Sequence, residues 1–218
     1  MIFKGLTSDI VTITIPTRGR RAKLSACLRS IDYPYNQVLI GATSMDDIPL
    51  NVTEKMPSVS VHICNGNPVP VQIYLAQESS STSHVLPISD DIIFETGAIQ
   101  AAVNDLKSAF PDLDGIIGFD VKNMKQKDKS PYAYMLVGSK FFNEHLNRSL
   151  FNPEYHHFYA DMELGEYAEK IGRFKTCHEA GIIHFHPAVG YIPDNTYLEN
   201  RQEKWSHDYK IYMDRKQK

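Results

Sequence analysis

Two adjacent carboxylates, Asp90 and Asp91, interrupt an apolar run that reads Val85-Leu-Pro-Ile-Ser-Asp-Asp-Ile-Ile-Phe94. Carboxylates at the tip of a buried strand sit where a hard divalent cation can be held against a diphosphate. Such a cation keeps several water ligands and takes one or two protein carboxylates besides phosphate oxygens. The same residues also fit a strand that ends in an Asx-type turn. Three further constellations bear on the choice. Arg18, Arg20 and Arg21 surround Gly19, so guanidinium forks and backbone N–H groups there can face a nucleotide or its phosphates. In the stretch from Phe158 to Gly172, Asp161, Leu164 and Ala168 share one helical face, which lets a carboxylate point from a helix start into a cleft. Asp161 also fits a routine N-cap, with Glu163 and Glu166 simply solvated. His184 and His186 flank Phe185; in an extended segment both imidazoles lie on one face, as a metal-binding pair or as structural histidines at a strand end.

These residues need elements to position them. Ile10 to Ile15 alternates apolar residues with Thr and predicts a strand that Pro16 stops, and Leu24, Cys27, Leu28 and Ile31 predict an amphipathic helix over Ala22–Ile31. Strand-like runs recur at Gln37–Ala42, Val59–Cys64, His84–Ile88, Gly115–Phe119 and Ala133–Val137, with helical stretches at Val69–Glu78 and Gly97–Phe110. This alternation predicts an α/β architecture with a mainly parallel sheet. Ligands of such sheets bind at the carboxyl ends of the strands, where the basic loop, the acidic tip and the Asp161 helix all fall.

Together these stretches resemble the nucleotide-sugar glycosyltransferases of the GT-A fold, especially the inverting family 2. There the chain opens with a "VTVIIPTYNR…L…CL.SI" pattern, which Val11–Arg20, Leu24, Cys27, Leu28, Ser30 and Ile31 follow. The resemblance implies a nucleotide-binding role for Pro16, Thr17, Arg18 and Arg20. The family's Asp-x-Asp motif corresponds to Ser89-Asp90-Asp91, with Ser in place of the first acid. That departure leaves Asp91 as the direct metal ligand and Asp90 as a second candidate or a ribose contact. Asp161 falls on the catalytic base of the family's "ED..L..R" helix, although Ala160 and Tyr167 replace its Glu and Arg. His184, and after it His186, stand where some members complete the metal site. The resemblance, which spans Asp9 to Pro187, implies Mn²⁺ or Mg²⁺, a nucleotide-diphosphate sugar donor and a glycan or other hydroxyl acceptor. It further implies that one domain, 1–218, divides into a nucleotide-binding half (1–88), a metal, acceptor and base half (89–187) and a C-terminal helical tail (188–218). A nucleotidyltransferase on a related scaffold is the first rival, though Pro16-Thr-Arg-Gly-Arg20 is a poor version of its Gly-rich signature. A catalytically silent sugar-binding module is the second.

The remaining segments carry weaker signals. Thr43, Ser44, Asp46 and Asp47 follow the second strand and suit either a base or ribose contact or a plain polar loop. The stretch between Gly118 and Pro131, with Lys122, Lys125, Lys127 and Lys129, reads as a solvated loop, or as a flap over the site. Phe151, Tyr155, His156, His157, Phe158 and Tyr159 suit either a core patch or sugar stacking. A long helix is predicted over 194–215, with Tyr197, Arg201, Trp205, Tyr209 and Tyr212 as a stripe that packs on the domain, self-associates or lids the acceptor site.

A 42% hydrophobic composition over 218 residues suffices for a sizeable core, without linker or repeat. A net charge of −3 gives no basic field for nucleic acid. The sequence predicts no bilayer-spanning run and no signal peptide, and Cys27, Cys64 and Cys177 read as reduced thiols of a cytoplasmic protein. Oligomeric state is left open by these features.

Overall fold

The computed structural model describes residues 9–50, 52, 56, 58–125, 130–195, 198 and 202–217. Lys127, Lys129, Tyr197 and Arg201 lie outside them.

Among the described residues, eight strands form one sheet: β1 (Val11–Thr17), β2 (Asn36–Ala42), β3 (Val59–Ile63), β4 (His84–Pro87), β5 (Ile92–Phe94), β6 (Ile116–Val121), β7 (Met135–Val137) and β8 (Phe174–His184). Their order is β3-β2-β1-β4-β7-β6-β8-β5. The four strands from β3 to β4 pair in parallel. Antiparallel β7 then joins β4 to β6, β8 runs parallel to β6, and antiparallel β5 closes the far edge. Helices α1 (Arg21–Arg29), α2 (Pro68–Gln77), α3 (Ala98–Ala109), α4 (Ser139–Glu144), α5 (Ala160–Lys170) and α6 (Gln202–Lys216) complete an α/β architecture.

β1 explains its own sequence. Val11, Ile13 and Ile15 are fully buried, and so are Thr12 and Thr14 on the other face, as expected of a parallel strand covered on both sides. The threonine hydroxyls are not stranded: Thr12 donates to Gln37 and Thr14 to the buried side chain of Gln72 on α2. Pro16 does not stop the strand, which runs to Thr17 with Pro16 opposite Gly41 of β2. On the other side β4 ends with Pro87 opposite Thr14, whose carbonyl accepts from Ile88 N. Pro16, two residues on, turns its missing N–H the same way, past the end of β4, so no ladder bond is lost.

Two segments depart from the sequence expectation. Asp120 and Val121 extend the expected strand as part of β6 rather than belonging to a polar loop, and Phe174 to Ala180, too polar to read as a strand, form the first part of β8. β8 pairs with β6 through a register shift between Phe119 and Asp120.

Asp208 is the buried polar anchor of α6. Its Oδ1 accepts from His156 N at 2.9 Å, and its Oδ2 accepts from His157 N and Phe158 N, both at 2.8 Å. Arg215 and Lys216 then pair with Glu163 and Glu166 of α5, at 2.5 and 2.9 Å. Those two glutamates are therefore engaged in helix docking, not merely solvated.

Candidate active site

The basic loop leaves the end of β1 and turns through Gly19, at φ 65°, a left-handed conformation that glycine adopts without a Cβ clash. Asp47, in the short 3-10 turn Met45–Asp47 after β2, holds this loop: its Oδ1 accepts from Gly19 N at 2.7 Å, and its Oδ2 from Thr43 Oγ1 at 2.8 Å and Ser44 N at 3.2 Å. Of the four polar residues considered for ribose or base contact, Asp47 is thus occupied as a brace.

The acidic tip follows β4. Asp90 and Asp91 are buried, and Asp90 Oδ2 accepts from Thr17 Oγ1 at 2.7 Å. Arg20 Nη1 reaches Asp90 at 3.1 Å and Asp91 at 3.4 Å, which neutralises much of the paired negative charge. Ser89, in place of the family's acid, donates to Asp91 Oδ1 at 2.6 Å and meets the Tyr134 hydroxyl at 2.7 Å. Burial pushes Asp90 up to about 6, against the opposing charge of Arg20. Burial opposes ionisation of Asp91 as well, but His184, Ser89 and Arg20 outweigh it and hold Asp91 below the usual carboxylate range.

The antiparallel pairing of β5 with β8 brings the histidines to this tip. Ile92 lies opposite His184, and Phe185 N donates to the Asp91 carbonyl at 2.9 Å. Asn123 clasps the His184 backbone from both sides, donating to its carbonyl at 2.8 Å and accepting from its N–H at 3.0 Å. His184 Nε2 stands 3.4 Å from Asp91 Oδ1, and the His186 ring lies 4.9 Å from the His184 ring. Carboxylate oxygen beside imidazole nitrogen is a donor set that can hold a divalent metal ion. A tighter group, His156, His207 and Asp208, has all its ligand atoms within 4.8 Å of one another but does not line the cleft. Asp208 is a poor ligand there, because three backbone N–H groups and His207 Nδ1 already occupy its two oxygens.

Asp161 is not the cap of its helix. Tyr159 holds that position with φ 65°, and Asp161 is the second residue of α5. Burial raises the Asp161 carboxyl to about 6, against the backbone N–H groups of Met162 and of Asp161 itself. The buried Tyr134 hydroxyl carries the influence of both acids: burial first, then Asp91 and, more weakly, Asp161 raise its pKa.

One cleft of about 500 Å³ is lined by Pro16, Thr17, Arg18, Arg20, Asp90 and Asp91, and also by Asp161, His184 and His186. Thr43, Gln72 and Tyr134 share it; Gln72 and Tyr134 sit in apolar stretches that carry no signal of a site. The aromatic cluster before Asp161 divides: Tyr155 is fully buried, whereas Phe151, His157, Phe158 and Tyr159 line the cleft.

No protein-family description matches the sequence, and no curated protein matches it. Solved structures do. The chain is similar to S. aureus TarS, a glycosyltransferase, at a TM-score of 0.58 with 13% identity over 79% of this chain and 36% of that one. The fold is GT-A-like. The glycosyltransferase GlyE of Streptococcus pneumoniae TIGR4 is also matched, at a TM-score of 0.45 with 7% identity over 76% of this chain and 44% of that one. The chain thus spans less than half the length of either protein. In this fold the cleft opens at the carboxyl ends of β1 and β4, where open α/β sheets bind their ligands.

Proposed function

We propose that the protein transfers a glycosyl group from a nucleotide-diphosphate sugar to an acceptor hydroxyl, with inversion and with Mn²⁺ or Mg²⁺ at the cleft. The observation that supports this is convergence: residues far apart in the chain, from Pro16 to His186, line a single cleft on a glycosyltransferase fold. Asp91 and His184 would hold the cation, with His186 beside them. Bound there, the cation stabilises charge on the departing diphosphate. Pro16, Thr17 and Arg18 line the nucleotide side, and Arg20, whose fork Asp194 holds in this structure, would turn it to phosphate oxygens when a donor binds. Asp90, held by Thr17 and Arg20, is the ribose-side acid.

Asp161 acts as the base. The acceptor oxygen forms its bond to the anomeric carbon as the bond to the diphosphate breaks; the leaving group takes the electron pair and Asp161 the hydroxyl proton. A carboxylate raised to about 6 is ionised at neutral pH yet more basic than an exposed aspartate, which suits a contribution of roughly 100- to 10,000-fold. The three free cysteines fit a reducing, cytoplasmic setting. Among the described residues no helix is long and apolar enough to cross a membrane.

Calorimetry with a panel of nucleotide sugars, with and without Mn²⁺, tests the reading. Metal-dependent binding of at least one nucleotide sugar is the expected result; saccharide binding indifferent to metal and nucleotide would overturn it.

A further inference from the structure

The stripe of α6 that runs beside its anchors carries two aromatic rings partly in the open. Trp205 and Tyr209 are 45% and 40% exposed, yet they are ordered against each other, with planes 7° apart and centroids 5.1 Å apart. At that separation parallel rings are offset, so each keeps ring surface turned outward. Tyr159 tilts against both, with centroids 6.1 Å from Trp205 and 5.7 Å from Tyr209, and stacks on Tyr212 at 5.0 Å. Trp205 and Tyr159 line the cleft, and Tyr159 precedes Asp161 by two residues. The exposed rings therefore continue the cleft wall outward from the acid.

Two features show that this ledge is held and not incidental. Tyr159 adopts a left-handed backbone, uncommon for a bulky residue and a form of strain that the surroundings must hold in place. Asp208, between the two rings in sequence, fixes α6 through three backbone N–H groups of the segment that leads to Tyr159. Rings held in advance lose little freedom when a ligand stacks on them.

The geometry points to Trp205 and Tyr209, with Tyr159, as a carbohydrate-binding ledge for the part of the acceptor that extends beyond the reacting hydroxyl. This rests on the glycosyltransferase reading above. A cleft of about 500 Å³ holds one small-molecule ligand, so once a donor and the reacting end of an acceptor are in place, any longer acceptor must leave over the rim. At the rim nearest Asp161 it meets aromatic faces. The negative face of an aromatic ring attracts the positively polarised C–H groups on the flat side of a sugar, while the sugar hydroxyls stay in water.

Trp205 is the chain's sole tryptophan, so its fluorescence reports on the ledge without a label. The full chain is titrated with neutral oligosaccharides of glucose, galactose and N-acetylglucosamine, from disaccharides upward, with nucleotide-sugar binding measured in parallel by calorimetry. A saturable change in Trp205 emission, with affinity rising with oligosaccharide length, is expected. Tyr209→Ala should weaken it about tenfold and Tyr209→Phe should restore it, since the ring and not the hydroxyl makes the contact. Emission unmoved by every oligosaccharide, or moved by nucleotides alone, overturns the proposal. An emission change that follows protein concentration, with no response to sugar, would make a second copy the occupant and overturn it equally. Absence of nucleotide-sugar binding sinks the transferase reading instead, while a saturable response to sugar still supports the ledge.

Discussion

Arg20 gives Nε and Nη2 to the two carboxylate oxygens of Asp194, both at 2.9 Å, while its remaining nitrogen faces Asp90 and Asp91. Lys23 adds a contact to Asp194 at 2.7 Å. A segment that follows the histidines is thereby pinned across the mouth of the basic loop, and a carboxylate holds the fork that a donor phosphate would use. Asp194→Asn should strengthen nucleoside diphosphate binding. Asp194 is partly exposed, so the gain is modest, about 2- to 5-fold, corresponding to about 0.5–1 kcal/mol. Calorimetry at low and high salt checks this, and the gap should narrow with salt. Weaker binding in the variant would mean that Asp194 positions Arg20 for phosphate instead of competing with it.

The metal prediction follows from the unequal places of the two histidines. His184 is clasped by Asn123 and stands 3.4 Å from Asp91, whereas His186 reaches the site only beside the His184 ring. Asp91→Asn should abolish metal-dependent nucleoside diphosphate binding without unfolding the chain. His184→Ala should weaken Mn²⁺ binding more than His186→Ala, by roughly tenfold or more for a lost ligand or its support. A metal-bound crystal structure with both imidazoles far beyond about 2.0–2.3 Å from the ion would reject both histidines.

Much of this fold was legible because its strands are short, apolar and bounded by breakers. The run Gln37–Ala42 is found as Asn36–Ala42, His84–Ile88 as His84–Pro87, and the helix expected over Gly97–Phe110 as Ala98–Ala109. β8 was not legible beyond its end, because Lys175, Thr176, His178 and Glu179 give it the composition of a loop. Its strand state comes from tertiary pairing with β6, which periodicity does not record. The candidate site was legible where chemistry is compressed into a few adjacent residues, as at Arg18–Arg20 and Ser89–Asp91. The parts that depend on distant partners were not: Asp47 reads like any loop acid until Gly19 is seen to donate to it, and Ser89 reads as a lost ligand until Tyr134 is seen behind it.

Asp208 reads in the sequence as one acid among several on a polar helix, and the structure makes it the anchor of α6. Asp208→Ala would leave three backbone N–H groups, at His156, His157 and Phe158, without their acceptor. Each buried group so orphaned costs about 1–3 kcal/mol, and partial access of water to this segment places the expected loss near the lower end, about 3 kcal/mol in total. Thermal melting measures it, and limited proteolysis should cut α6 first. A variant as stable as the parent would show that helix docking rests on Glu163 and Glu166 instead.

Asp161 ties activity to stability in opposite directions. Its carboxyl is raised from 3.8 to about 6, so between those values the folded state binds more protons than the unfolded one and stability falls as pH rises. Above pH 6 the fold carries a charge on a half-buried carboxylate, and Asp161→Asn should relieve it by about 1–3 kcal/mol. Below pH 4, where Asp161 is protonated in both states, that difference should vanish. The same variant should lower turnover by two orders of magnitude or more at near-constant donor affinity, since a base acts chiefly in the transition state. Wild-type turnover should fall as pH drops through about 6. Glu163→Gln offers the contrast: Glu163 pairs with Arg215, so its loss loosens α6 a little and leaves turnover within a few fold. If Asp161→Asn is stabilised above pH 6 yet fully active, Asp161 is a half-buried acid without a part in the chemistry, and the base must be sought elsewhere in the cleft.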